Sequence, residues 1–219
     1  MTNFDRVARP YRWLEYLSFG PWLARCRRGQ LAHLAQARHA VVHALVLGDG
    51  DGRFLERLLD VNPTLTADVV DSSSSMLRLL ERRTRRSCQR IRVHHVDALA
   101  WTPTAHYDLI VSHFFLDCFF PAELEQLLDR VLPHARPGAQ WVISEFAIPD
   151  NAFAAYLAGG LIGLLYRAFG GLTGLRVRRL PDYDAALLRR GLLLQHDRRY
   201  LGGLLCAQIW LLPNTPARK

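Results

Sequence analysis

The amino-acid sequence predicts an α/β protein with a doubly wound, mostly parallel sheet that ends in an antiparallel C-terminal pair of strands. Three observations carry this expectation. Between residues 40 and 147, short apolar runs alternate with segments of helical period, the pattern of βα units laid around a parallel sheet. Gly48, Gly50 and Gly52 stand between one such apolar run and one such helix, where the chain must turn sharply. Near the other end, two strand-like runs meet at Gly202-Gly203, a hairpin signal. The chain has 219 residues, 50% of them hydrophobic, which suits one domain with a full core and excludes a disordered or fibrous protein.

The elements follow from the same periodicities. Residues 43–48 are a buried-strand run, and residues 53–61 form a helix with Phe54, Leu55, Leu58 and Leu59 at helical spacing. Residues 66–71 make a second strand, and residues 74–86 a helix that turns Met76, Leu77, Leu79 and Leu80 toward a core. A third strand spans 91–96 and a fourth 107–113. The helix over 121–132 starts with proline, whose fixed φ and missing N–H suit a first turn. The Pro137-Gly138 pair is read as a turn into a fifth strand over 140–147. Before residue 40, Tyr11, Trp13, Tyr16, Phe19 and Trp22 lie in an arginine-rich segment expected as one or two helices outside the sheet. After residue 150 a long apolar helical stretch reaches the Gly170-Gly171 break and the Gly174 turn. A short helix over 183–190 and strands over 192–200 and 204–212 follow.

The formal net charge is +8, from 28 basic and 20 acidic residues, yet Lys219 is the only lysine. That skew reflects codon usage and is no evidence for nucleic acid. Most of the densest basic cluster, Arg78, Arg82, Arg83, Arg85, Arg86, Arg90 and Arg92, lies in the last turns of a helix, where cations meet the negative end of the dipole and face solvent. Nucleic acid is therefore not expected as a partner. Cys26, Cys88, Cys118 and Cys206 form no Cys-x-x-Cys pair, which fits a reducing compartment. His94 and His95 project to opposite faces of a strand, so they cannot share a metal, and no metal site is expected. Residues 1–12 carry Asp5, Arg6 and Arg9 and lack the apolar run of a secretory signal, so a cytoplasmic location is expected. The apolar stretch 152–166 contains Gly159, Gly160 and Gly163 and stops at Arg167, short of the ~20 residues of a membrane span.

The chemistry is concentrated in the run from Ala44 to Phe54. Alternating glycines between a strand and a helix let the backbone turn and let a ligand approach without meeting a Cβ. A dinucleotide fingerprint, Gly-x-Gly-x-x-Gly, would place its third glycine at position 53, where this chain has Arg53. Asp49 and Asp51 also set negative charge where a pyrophosphate would sit, against the preference of a helix N-terminus for anions. A cationic or zwitterionic nucleoside suits such a loop better. The run resembles the first motif of the class I S-adenosylmethionine-dependent methyltransferases, a strand ending in Gly-x-Gly-x-Gly within a Rossmann-like fold.

The later motifs agree with that resemblance. Asp71 ends the second strand, where a carboxylate can accept from both ribose hydroxyls. The run from Asp71 through Ser72 to Met76 and Leu77 is similar to the family's Asp-x-Ser-x-x-Met-Leu. Asp97, followed by Ala98, stands where family members place an acid for the adenine amino group. The segment from Tyr107 to Cys118, with Ser112 in it, resembles the family's fourth-strand motif, and residues 128–145 its next helix, turn and strand. Residues 4–11 look like the opening of the quinone-biosynthesis type of C-methyltransferase. One departure is Val46, where the family carries an acid; Asp49 or Asp51 is expected to compensate in part.

The resemblance implies a single methyltransferase domain over 1–219, with an N-terminal helical segment over 1–40, a cofactor-binding core over 41–147, and substrate-cap helices with the hairpin over 148–219. The expected cofactor is S-adenosylmethionine, held by Gly48, Asp49, Gly50, Gly52, Asp71, Ser72, Met76, Asp97, Ala98 and Ser112. The expected partner is a small, apolar or aromatic acceptor. His113, at the C-terminal end of the fourth strand, is the first candidate for a general base, and Asp117 the second. The alternatives are a non-catalytic S-adenosylmethionine-binding protein and an RNA methyltransferase.

Overall fold

The computed structural model describes residues 21–36, 41–149, 159–160, 177 and 180–214. Helices α1 (Pro21–Arg28) and α2 (Leu31–Gln36) come first, then β1 (His43–Leu47), α3 (Arg53–Val61), β2 (Thr66–Asp71), α4 (Ser74–Arg83) and β3 (Ile91–His95). They are followed by β4 (Tyr107–His113), α5 (Pro121–Val131), β5 (Ala135–Phe146), α6 (Tyr183–Arg189), β6 (Leu193–Tyr200) and β7 (Leu205–Leu211). Among the described residues one seven-stranded sheet forms, in the order β3-β2-β1-β4-β5-β7-β6. The first five strands are parallel, and β7 runs antiparallel to both β5 and β6.

The sheet is covered on both faces, as parallel sheets require. On one face Phe54, Leu55, Leu58 and Leu59 of α3, with Leu77 and Leu80 of α4, pack on Val46, Val69, Val111 and Val142. On the other, Leu124, Leu127, Leu128 and Val131 of α5, with Ala186 and Leu187 of α6, pack on Leu45, Ile110, Trp141 and Ile143. The helices that follow β1 and β4 thus lie on opposite faces, although the strands are neighbours. That divergence opens a crevice at the carboxyl ends of the strands, the usual ligand position of open α/β sheets.

Two boundaries differ from expectation. Helix α4 stops at Arg83 because the hydroxyl of Thr84 donates to the Leu80 carbonyl, and a short 3-10 stretch over Arg85–Arg90 follows. Strand β5 begins at Ala135, paired with Tyr107, so Pro137-Gly138 is an irregularity inside the strand rather than a turn before it. Gly138 takes a φ of +80° there. The aromatic residues up to Phe19, Gly163, the glycine breaks at Gly170, Gly171 and Gly174, and most of residues 152–166 lie outside the described residues. Among those described, no helix is long and apolar enough to cross a membrane.

A buried polar cluster ties the first three strands to β4. The Asp68 carboxylate accepts from the Tyr107 hydroxyl at 3.0 Å and lies 3.2 Å from His43 Nε2 and 2.9 Å from His94 Nε2. Removing it leaves a buried hydroxyl without an acceptor. Asp68→Ala is expected to destabilise the fold by about 3 kcal/mol, the scale of breaking a buried charged network, measured by urea unfolding. A loss below ~1 kcal/mol would show the cluster to be energetically neutral.

Candidate cofactor and acceptor site

Strand β1 sits between β2 and β4, with Leu47 opposite both Val70 and Ser112, so its carboxyl end delivers the chain to the centre of the crevice. The Gly48 N–H still donates to the Val70 carbonyl, and then the backbone turns through left-handed conformations at Gly48 (φ +64°), Gly50 (φ +61°) and Gly52 (φ +78°). The three glycines serve different ends. A Cβ on Gly48 would lie 2.3 Å from the Phe115 ring, and one on Gly52 2.8 Å from Leu80. At Gly50 a Cβ would meet nothing within 4 Å, so this residue alone of the three borders open space.

The two aspartates of the loop turn away from that space. Asp49 is buried and accepts from the Leu55 N–H at 3.0 Å, in the first turn of α3, while its other oxygen is buried without a partner. Burial pushes its carboxyl up to about 7, against the lowering effect of the Leu55 hydrogen bond. Asp51 is held by Arg53 at 2.9 Å and Arg83 at 3.0 Å. Val46 is fully buried under α3.

At the end of β2, Asp71 accepts from the Ser73 N–H at 2.8 Å, and the Ser73 hydroxyl caps α4 by accepting from the Met76 N–H. The capping work therefore falls to Ser73, leaving Ser72 exposed with its carbonyl beside His95. Met76 and Ala98 are buried. Asp97 is exposed and accepts from the Leu99 N–H at 2.9 Å, a local turn that fixes its carboxylate.

At the end of β4, Ser112 is fully buried and accepts from the Trp141 indole, on the α5 face. His113 lies on the α3 face, 4.3 Å from the Phe54 ring centroid, and both its ring nitrogens are buried without partners. Burial, aided by the Arg27 charge, holds it well below the usual imidazole range. The next residue, Phe114, has φ +52° and turns the chain back over the sheet end. Asp117 follows in a short 3-10 turn and is buried.

Sequence reasoning missed Glu145, at the end of β5. It is fully buried, and its Oε1 accepts from the N–H groups of Phe115 at 2.9 Å and Leu116 at 2.7 Å. Burial and the nearby Asp117 push its carboxyl well above the usual range. An acid closing the otherwise unbroken run Trp141-Val142-Ile143-Ser144 was the available signal. The basic cluster is partly structural: Arg90 donates to the carbonyls of Leu59, Asn62 and Leu65, and Arg83 holds Asp51. Among the described residues no three His, Cys, Asp or Glu side chains converge as metal ligands.

A family model described as a methyltransferase domain matches residues 45–140, the span that contains the glycine loop, Asp71, Asp97 and the end of β4. The matched residues are those of a methyltransferase domain, and the fold of the chain is methyltransferase-like. An O-methyltransferase family protein from Burkholderia thailandensis is similar in structure, with a TM-score of 0.72 and 14% identity over 97% of this chain and 63% of its own. The N-methyltransferase NodS from Bradyrhizobium japonicum, in complex with S-adenosylhomocysteine, has a TM-score of 0.63 and 19% identity over 87% and 88%. The mitomycin 7-O-methyltransferase MmcR has a TM-score of 0.64 and 16% identity over 96% and 61%. The chain thus spans less than two thirds of two of these three, and identities at this level carry the fold alone. No curated protein sequence matches the chain.

Two expectations follow from the loop. Gly48→Ala should cost about 2 kcal/mol or more, because a left-handed φ and the Phe115 clash add, whereas Gly50→Ala should cost about 1 kcal/mol from the φ alone; chemical denaturation reads the order. Asp49 supplies a pH test. Its carboxyl is raised from 3.8 to about 7 on folding, so the folded state holds a proton that the unfolded chain has lost, and stability falls as pH rises toward 7. Asp49→Asn should therefore gain stability relative to wild type across that window, by up to about 1.4 kcal/mol per pH unit. A pH-independent difference in urea midpoint would place the carboxyl in an ordinary environment.

Proposed function

We propose that this protein transfers the methyl group of S-adenosylmethionine to a small, apolar or aromatic acceptor, with the donor cradled at Gly50 and held by Asp71 and Asp97. The observation that carries the reading is Gly50: it takes a left-handed turn at the carboxyl end of β1, and a Cβ there would meet no protein atom within 4 Å, so the loop backbone is open to a ligand. When bound, the cofactor supplies a sulfonium-bound methyl carbon, whose bond to sulfur breaks, the electron pair going to sulfur, as the bond to the acceptor forms. The protein's share is alignment, which converts an encounter into a near-unimolecular step.

Each residue then has a chemical task. Asp71, at a strand end, offers a carboxylate to the ribose hydroxyls, and Asp97, exposed and fixed by its turn, offers one to the adenine amino group. Ser72 is exposed next to Asp71 while Met76 and Ala98 are buried, and Gly48 and Gly52 keep the loop in shape through Phe115 and Leu80. Asp49 holds the first turn of α3 against the loop, and Ser112 accepts from Trp141 beneath the strand ends. For removal of the acceptor's proton Asp117 is favoured over His113. Burial disfavours the imidazolium that His113 would become, so it is a weak base.

Calorimetric titration with S-adenosylmethionine, S-adenosylhomocysteine and NAD tests the class, with binding expected for the first two only. Asp71→Ala should weaken S-adenosylhomocysteine binding at least about tenfold, since a charged hydrogen bond contributes roughly 1.5–3 kcal/mol. Asp97→Ala should do less, because one amino contact is lost. If Asp97 were essential and Asp71 dispensable, the assignment of ribose and adenine would be reversed.

A further inference from the structure

We propose that Glu145 is the positioning residue of the methyl-transfer site: its carboxyl group fixes the strained turn after β4, so that Phe115 closes on the glycine loop and Asp117 is held at the acceptor end. The proposal rests on the reading of that loop as the cofactor cradle and goes beyond it, because Glu145 lies on β5, outside the loop and outside the motifs that define it.

The geometry begins with Phe114. An L-residue at φ +52° persists only where its surroundings over-determine it. Its N–H is tied to the Ser144 carbonyl at 2.7 Å, and its ring packs on Phe146 and under Arg27. After this reversal, the N–H groups of Phe115 and Leu116 point back toward the end of β5. Buried there without an acceptor they would be costly, and Glu145 Oε1 accepts both. The N–H of Asp117 stabilises the same carboxyl group. One side chain thereby sets three consecutive backbone positions. The first of these is Phe115, whose ring occupies the place that any side chain on Gly48 would need. The third carries Asp117.

Oε2 is buried with no partner. Burial and the neighbouring Asp117 hold the Glu145 carboxyl well above its usual range, so Oε1 serves the turn as the oxygen of a neutral acid. An amide at position 145 offers an acceptor oxygen of the same reach.

Two variants separate the parts. Backbone amide exchange, read by nuclear magnetic resonance, should quicken at least about tenfold at Phe115 and Leu116 in Glu145→Ala, where two protecting bonds are lost, and S-adenosylhomocysteine binding should weaken. In Glu145→Gln, whose amide oxygen can still accept from both N–H groups, the exchange should stay slow and S-adenosylhomocysteine binding should return to the wild-type level. Wild-type exchange and binding in Glu145→Ala, or a Glu145→Gln variant that exchanges as fast and binds as weakly as Glu145→Ala, overturns the proposal alone. Wild-type protein that fails to bind S-adenosylhomocysteine overturns the cofactor reading and the proposal with it.

Discussion

Strands β1 and β4 lie side by side, but the helices that follow them cover opposite faces of the sheet, and the site depends on that divergence. Where two successive connections part, no helix caps the carboxyl ends of the strands between them. Backbone donors and side chains at those ends then face a crevice rather than a core. Gly48 to Gly52, Asp71 and the turn from His113 to Asp117 all stand at strand ends around this point. The antiparallel pair β7 and β6 extends the sheet on the far side of β5, which buries the last residues of β5 and with them Glu145.

The polar groups near the crevice are kept in order by local pairing. Asp51 is neutralised by Arg53 and Arg83, Asp49 caps the first turn of α3, and Ser73 caps α4. Each pairing withdraws one group from the ligand's reach and leaves its neighbour to face it. Asp49 in the loop after β1 and Glu145 at the end of β5 are each pushed up by burial, so both hold protons that exposed acids would lose.

Much of this was legible in the chain. The short apolar runs of the strands, the helical period of Phe54, Leu55, Leu58 and Leu59, and the Gly202-Gly203 hairpin are local signals, and the sheet formed from them as expected. The glycine spacing separated the loop from a dinucleotide site because a missing third glycine at Arg53 is a steric fact about one turn. Boundaries were less secure. Pro137-Gly138 reads locally as a turn, yet the pairing of Ala135 with Tyr107 draws it into β5, since ladder hydrogen bonds across strands outweigh a local preference.

The sequence by itself determined the order of the elements, the class of loop and the carboxylates at the strand ends, because each follows from spacing along the chain. Only the tertiary structure decided which glycine borders open space, since the answer lies in Phe115 and Leu80, distant residues that occupy the Cβ positions of Gly48 and Gly52. It likewise set His113 on the α3 face without a partner, and brought Glu145 beneath the turn that carries Asp117. Those relations join residues far apart in the chain, Glu145 and Leu116 through the register of β4 on β5, and register is fixed by the packing of whole faces rather than by any neighbouring residue.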